Sequence, residues 1–191
     1  MDSASKRSAL LVSTLGAFLT PFMGSSINTA LPSIGKELAL DTVSLGWVTT
    51  SYLLASAIFL VPFGRVADIY GRKRVLIIGI FIYTAASFLL TVSASPAMII
   101  ALRVPQGVGA AMIFGTGVAI LTSAFPIEER GKALGINSAS VYLGLSLGPF
   151  LGGVMTQHLG WRSIFLVNVP LGLLIIAIAS WRLRGEWAEA R

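Results

Sequence analysis

Six runs of apolar residues, each close to the length of a bilayer crossing, follow one another along this chain. They fall at about 9–31, 44–63, 75–94, 97–122, 133–156 and 163–181. A helix needs about 20 apolar residues to cross the hydrocarbon core. Backbone polar groups find no water there, so each run has to be helical. The expected fold is therefore an all-α integral membrane protein with six transmembrane helices. Residues 9–183 are expected to form the bundle, 1–8 a leading segment and 184–191 a tail or the start of a linker to a second half. Composition agrees: 55% of the 191 residues are hydrophobic and 12% charged, against about a quarter charged in soluble domains. Lys6 and Arg7 before the first run look like the start of a signal peptide. The run is longer than a signal core and more spans follow it, so it reads as an uncleaved first span.

Charge placement sets the orientation. Lys6, Arg7, Arg65, Arg72, Lys73, Arg74, Arg130, Lys132, Arg182, Arg184 and Arg191 fall on one side of the six runs. Only Lys36 and Arg162 fall on the other, and Arg103 lies inside the fourth run. Lys and Arg accumulate on the cytoplasmic side, so both termini are expected there, in a cell (inner) membrane. Trp47, Trp161 and Trp181 stand near run ends, where indole rings favour the headgroup layer.

Several function classes drop out. The net charge of +6 is scattered in short clusters between apolar runs. This is the pattern of membrane topology and not of a nucleic-acid-binding face. Cysteine is absent and His158 is the single histidine, which leaves no thiolate or histidine metal site. No nucleophile–base pair, paired carboxylate or Gly-rich phosphate loop stands out, so neither an enzyme nor a cofactor is expected.

Three stretches carry mechanism. Residues 62–76 form a charged turn in which Arg65, Arg72, Lys73 and Arg74 surround Asp68, bracketed by Gly64 and Gly71. On its own this reads either as an ordinary positively charged turn or as a site where Asp68 pairs with Arg72 or meets a helix N-terminus. The fourth run holds Arg103, Gln106, Gly107 and Gly109. A charge at that depth faces a wet cavity, or snorkels toward the helix end near Pro96. Gln106, three residues on, shares the face of Arg103. In the fifth run Gly144, Gly148 and Gly152 form a smooth stripe that lets another helix come close, and Pro149 invites a bend. A short repeat links Pro62-Phe63-Gly64 and Gly71-Arg72-Lys73 with Pro149-Phe150, Gly152-Gly153 and Gly160-Trp161-Arg162. Three spans separate the copies, which predicts a 3+3 inverted repeat, a transporter feature.

These motifs resemble those of the major facilitator superfamily. The turn matches its loop signature Gly-x-Leu-Ala-Asp-x-x-Gly-Arg-Lys through Gly64, Ala67, Asp68, Gly71, Arg72 and Lys73, with Val66 for Leu and Ile69 for the usual Arg. The resemblance implies that this cluster latches two half-transporters together. It also implies that Arg103 and Gln106 take part in proton coupling, and that Gly144, Gly148, Pro149, Gly152 and Gly153 form the bend of an antiporter. Asn28-Thr-Ala-Leu-Pro32, Trp47 with Tyr52-Leu53, and Trp161-Arg162 through Phe165, Asn168, Pro170 and Gly172 narrow the likeness to the fourteen-span drug:proton antiporters. It covers nearly all of residues 9–183.

One departure matters. That branch often has an acid nine residues before the span-one proline, and here Met23 occupies the place. The eight acids, Asp2, Glu37, Asp41, Asp68, Glu128, Glu129, Glu186 and Glu189, all lie outside the depth of the spans. Neutral polar groups are then the expected cavity lining: Asn28 and its serine neighbours, Tyr52 with Thr49, and Asn137 and Tyr142 from span five. The superfamily places its substrate site between two six-helix bundles. One bundle is therefore expected to pair with a second, as a homodimer or with a separate chain. The expectation is efflux of small amphipathic compounds or drugs by proton antiport. The alternative is a non-transporting membrane subunit, or a truncated fragment, that binds a partner half or a ligand.

Overall fold

The computed structural model describes residues 3–183, so the expected tail at 184–191 lies outside the described residues. The described residues form six helices: α1 Ser3–Glu37, α2 Thr42–Tyr70, α3 Arg72–Thr91, α4 Pro96–Ala124, α5 Ile127–Leu159 and α6 Arg162–Arg182. All six are long and apolar enough to cross a membrane, and the protein is a multi-pass membrane protein. Most helices overrun the apolar runs that announced them. The 35 residues of α1 reach about 52 Å at 1.5 Å per residue, well past a core of about 30 Å. Residues 3–8, expected as a leading segment, are already the first turns of α1. The opposite happens at α3, which stops at Thr91 short of the expected 94. There Ser95 takes an extended conformation before Pro96 and caps α4 by accepting from the Met98 N–H at 3.2 Å. A residue before proline is biased out of the helical region, and with the Ser95 cap the break between α3 and α4 falls there.

Internal prolines occur in every helix except α3, whose neighbour α4 instead starts with one. Asp41 caps α2, its carboxylate accepting from the Ser44 N–H at 2.9 Å.

The expected inverted repeat is present. α1 packs most extensively on α5, and α2 on α4; α3 packs on α4, and α6 on α1. Exchanging α1–α3 with α4–α6 maps each of these pairs onto its counterpart. The chain reverses between α2 and α3 through Gly71 at φ 107°, and between α5 and α6 through Gly160 at φ 82°. Among the described residues these are the glycines at positive φ, where a side chain is disfavoured. The charged stretch at 62–76 is therefore not a loop. Gly64 through Tyr70 are helical, and one residue joins the two helices.

Small residues set the spacing. A Cβ added at Gly109 would lie 2.7 Å from the Gly79 carbonyl oxygen and 2.7 Å from the Tyr83 nitrogen. One at Gly107 would fall on the Tyr52 carbonyl. α4 is thereby drawn between α2 and α3. On the other side Gly144 sits against the backbone of Phe18 and Phe22, and Gly152 against Ser26, so α5 lies flat on α1.

Candidate functional site

α4 carries Arg103 into the middle of the bundle, where the residue is 0% exposed. Its Nε–H donates to the Val48 carbonyl of α2 at 2.9 Å, and its Nη1 donates to Gln106 Oε1 at 2.5 Å. Gln106 Nε2 donates to Ser87 Oγ on α3 at 2.9 Å, and Ser87 donates in turn to the Tyr83 carbonyl at 2.7 Å. The guanidinium lies 4.2 Å from the centre of the Tyr52 ring, in cation–π contact. Arg103 does not snorkel, because carbonyl, amide and ring meet it at depth. Nη2 alone of its nitrogens is buried with no hydrogen-bond partner.

Arg103 lines a cavity of about 370 Å³ bounded by α1, α2, α4 and α5. Asn28, Tyr52, Thr49 and Ser25 share the wall with apolar Pro21, Leu53, Phe114, Val141 and Leu145. The mixture matches pockets for small amphipathic molecules, which are mostly apolar with a few placed polar groups. Two residues expected in this wall are elsewhere. Tyr142 is 69% exposed on the outside of α5, and Asn137 is buried a turn and more away with its Oδ1 unpartnered. The period of α5 explains both: the face that follows Gly144, Gly148 and Gly152 is pressed on α1, and only Val141 and Leu145 of that helix reach the cavity. Met23 is fully buried against α6, where Asn168 Nδ2 donates to its sulfur at 3.1 Å. It is not part of the cavity wall.

The glycine stripe is an interface and not a bare bend. Ser26 Oγ donates to the Gly148 carbonyl at 3.0 Å, and Ser25 Oγ, whose nearest acceptor is the Pro21 carbonyl of its own helix at 2.9 Å, lies 3.2 Å from the Gly144 carbonyl. Pro149 is exposed on the opposite side of α5 and Gly153 meets Thr29 at ordinary contact distance.

At the Gly71 end, Arg72 is only 6% exposed. Its Nε and Nη2 both donate to Asp68 Oδ1, at 3.0 and 2.8 Å, and its Nη1 donates to the Ala119 carbonyl at 3.2 Å and to Ser123 Oγ. Arg72 thus straps the start of α3 to the end of α4. Lys73 and Arg74 line a shallow pocket with Ile77, Ile78 and Ser180. Gly64 lies 3.6 Å from where a Gly115 Cβ would stand, an ordinary contact.

Sequence reasoning missed the equivalent strap at the Gly160 end. Arg162 Nη1 donates to Glu37 Oε1 at 2.5 Å and its Nη2 to the Ser93 carbonyl at 2.9 Å. Trp161 Nε1 donates to Glu37 Oε2 at 2.7 Å, and the Arg162 guanidinium lies 4.2 Å over the Trp161 ring. The start of α6 is held to the end of α1, as the repeat demands. Trp161 is accordingly 2% exposed and buried under this strap, whereas Trp47 and Trp181 are exposed as expected for headgroup anchors. The signal was available: Arg162 follows Gly160 as Arg72 follows Gly71.

The model of the Major Facilitator Superfamily matches residues 13–189. Similar proteins include the riboflavin transporter RibZ of Clostridioides difficile, 36% identical over 87% of this chain and 37% of its own length. The cephamycin export protein CmcT of Amycolatopsis lactamdurans is 40% identical over 96% of the chain and 39% of its own length. The multidrug resistance protein Stp of Mycobacterium tuberculosis is 38% identical over 87% of the chain and 31% of its own length. The chain thus spans less than two fifths of the length of these relatives. In structure it is similar to a bacterial homolog of the human lysosomal transporter Spinster, inward-facing and occupied, with a TM-score of 0.88 at 20% identity over 97% of this chain and 46% of that one. It is also similar to the proton:xylose symporter XylE, with a TM-score of 0.83 at 17% identity over 94% and 45%. With its six helices in the arrangement of one half-bundle, this chain belongs to the major facilitator superfamily, whose members are transporters and not enzymes.

Proposed function

We propose that the chain exports small amphipathic compounds in exchange for protons, working against a second six-helix bundle. The observation that carries this reading is the fully buried Arg103 turned onto a cavity among α1, α2, α4 and α5. Costly intramembrane charge of this kind marks solute or ion paths. The functions of several relatives, cephamycin export, multidrug resistance and probable actinorhodin transport, favour export of such compounds. Riboflavin transport in another relative keeps the substrate class broad.

The second bundle is supported by what the helices leave uncovered. Only 22% of the apolar window of α2 and 17% of that of α5 are buried, against 61% for both α1 and α4. α2 and α5 flank the cavity, so a matching bundle laid across them would close it. A copy of this chain related by a two-fold axis along the membrane normal meets that requirement, as does a different six-helix segment. Both termini face the cytoplasm in this reading, with the Asp68–Arg72 strap on that side. Among the described residues no acid lines the cavity, so the proton-binding group comes from the second bundle.

The test is flux in proteoliposomes under an imposed pH gradient, with the cation ethidium, the neutral 2-naphthamide and the anion 2-naphthoate as probes. The expected result is gradient-driven flux that falls at least about tenfold, the size of one lost charge-assisted contact, in Arg103→Ala. Flux of all three that ignores both the gradient and the substitution would defeat the mechanism. Cross-linking in membranes that yields monomers only would defeat the homodimer.

A further inference from the structure

Of the buried polar side-chain atoms without a hydrogen-bond partner among the described residues, two belong to the cavity wall, and both can donate: Arg103 Nη2 and Thr49 Oγ1. Nη2 has only donors to offer, and the Thr49 hydroxyl has a free donor as well. The other polar groups of Arg103 are spoken for: Nε by the Val48 carbonyl, Nη1 by Gln106 and one face of the guanidinium by Tyr52. All of these partners are neutral, so the positive charge itself has no counterion. The carboxylates that the structure describes, Glu37, Asp41, Asp68, Glu128 and Glu129, sit at helix ends. Two of them are already engaged with Arg72 and Arg162. A guanidinium cannot shed its proton to escape burial. An uncompensated charge away from water is met by pairing.

We infer that this cavity takes amphipathic solutes carrying an anionic group, whose acceptor oxygens meet Arg103 Nη2 and Thr49 Oγ1 while the apolar body lies on Leu53, Phe114 and Leu145. The inference rests on the transporter reading for its use, and it narrows that reading to a charge class. A volume of about 370 Å³ lies within the range of pockets for small ligands, about 300–1,000 Å³. Gln106, tied through Ser87 to α3, acts as a positioning residue: it holds Nη1 and leaves Nη2, buried at the cavity wall, as the guanidinium nitrogen without a partner. A cationic solute finds no acceptor of opposite charge here and has Arg103 to repel it. A neutral one satisfies the donors but leaves the charge unpaired.

Equilibrium binding tests this without transport. The full 191-residue chain is placed in phosphatidylcholine nanodiscs, whose surface carries no net charge. Tritiated 2-naphthoate is then competed with 2-naphthamide and 2-naphthylmethylammonium, which share its ring. The expected preference for the carboxylate over the amide is about tenfold or more, as for a hydrogen bond to a charged partner. Arg103→Gln abolishes the preference. Thr49→Glu supplies a carboxylate from the wall itself and also abolishes it; circular dichroism shows whether each variant is folded, and this one keeps the test open if Arg103→Gln does not fold. Equal or tighter binding of the amide or the ammonium overturns the inference, as does a preference that survives in either folded variant, or the absence of saturable binding by any of the three. Charge-selective binding without flux supports the inference and sinks the transporter reading. Flux of all probes without charge preference does the reverse.

Discussion

Replacing Gly144 by alanine puts a methyl group where α1 already stands. The new Cβ lies 2.6 Å from the Phe18 carbonyl oxygen and 3.0 Å from the Phe22 nitrogen, where ordinary contact begins at 3.4 Å. Both are backbone atoms of a helix, so no side chain can swing aside and the two helices must part by about 0.8 Å, the difference between the closer contact and 3.4 Å. Overpacking of this sort costs about 1–3 kcal/mol. Parting the helices also weakens the bond from Ser26 to the Gly148 carbonyl, which contributes about 0.6 kcal/mol in a membrane. Alanine recovers about 1 kcal/mol over glycine in helix propensity. The net expectation is a loss of about 1–3 kcal/mol. Gly153 is the control, because its added Cβ meets Thr29 at 3.4 Å. Gly153→Ala should be neutral or stabilising by up to about 1 kcal/mol. Titration with sodium dodecyl sulfate in mixed micelles, followed by far-ultraviolet circular dichroism, reads both. A Gly144→Ala protein within about 0.5 kcal/mol of the parent, the range of an inconsequential substitution, would refute the packing argument. So would a Gly153→Ala protein that loses as much.

The same titration reads three further outcomes. Gly71→Ala and Gly160→Ala each force a side chain into positive φ and should cost about 1–3 kcal/mol apiece, adding in the double variant because they lie at opposite ends. Asp68→Asn removes the carboxylate from a nearly buried guanidinium and should cost about 1–3 kcal/mol; Arg72→Lys should not restore the strap, since one ammonium cannot reach Asp68, the Ala119 carbonyl and Ser123 together. Finally, the bond from Ser44 holds the Asp41 carboxyl below its usual range. A depressed folded-state pKa means that its contribution is complete above the unfolded value of about 4 and is lost as the pH falls below it. Asp41→Asn should flatten the acid side of the stability profile there, and an unchanged profile would count against the cap.

The fold was legible because a bilayer leaves a chain few choices. Length and apolarity alone give six helices, and Gly71-Arg72 with Gly160-Trp161-Arg162 already announces the repeat. Helix ends were less legible, because residues such as 64–70 stay helical although their charges end an apolar run. The site was legible where one residue is anomalous: Arg103 has no business at depth without a cavity. It was illegible where rotation about a helix axis decides the outcome. Tyr142 lies on the correct helix, but the stripe Gly144, Gly148 and Gly152 turns that helix so that Val141 and Leu145 face inward instead, while Asn137, a turn before Val141 on the packed side, is buried beyond the cavity wall. Glu37 could not be paired with Arg162 from sequence, because 125 residues separate them and only the repeat brings them together.

The two arginine straps have a mechanical consequence. Each ties the third helix of one repeat to the first helix of the other, one at either rim of the membrane. Shear between the repeats would have to break polar contacts at both rims together, so the six helices are braced to tilt as a single lever. Any exposure of the Arg103 niche first to one compartment and then to the other falls to the joint between this lever and whatever it leans on.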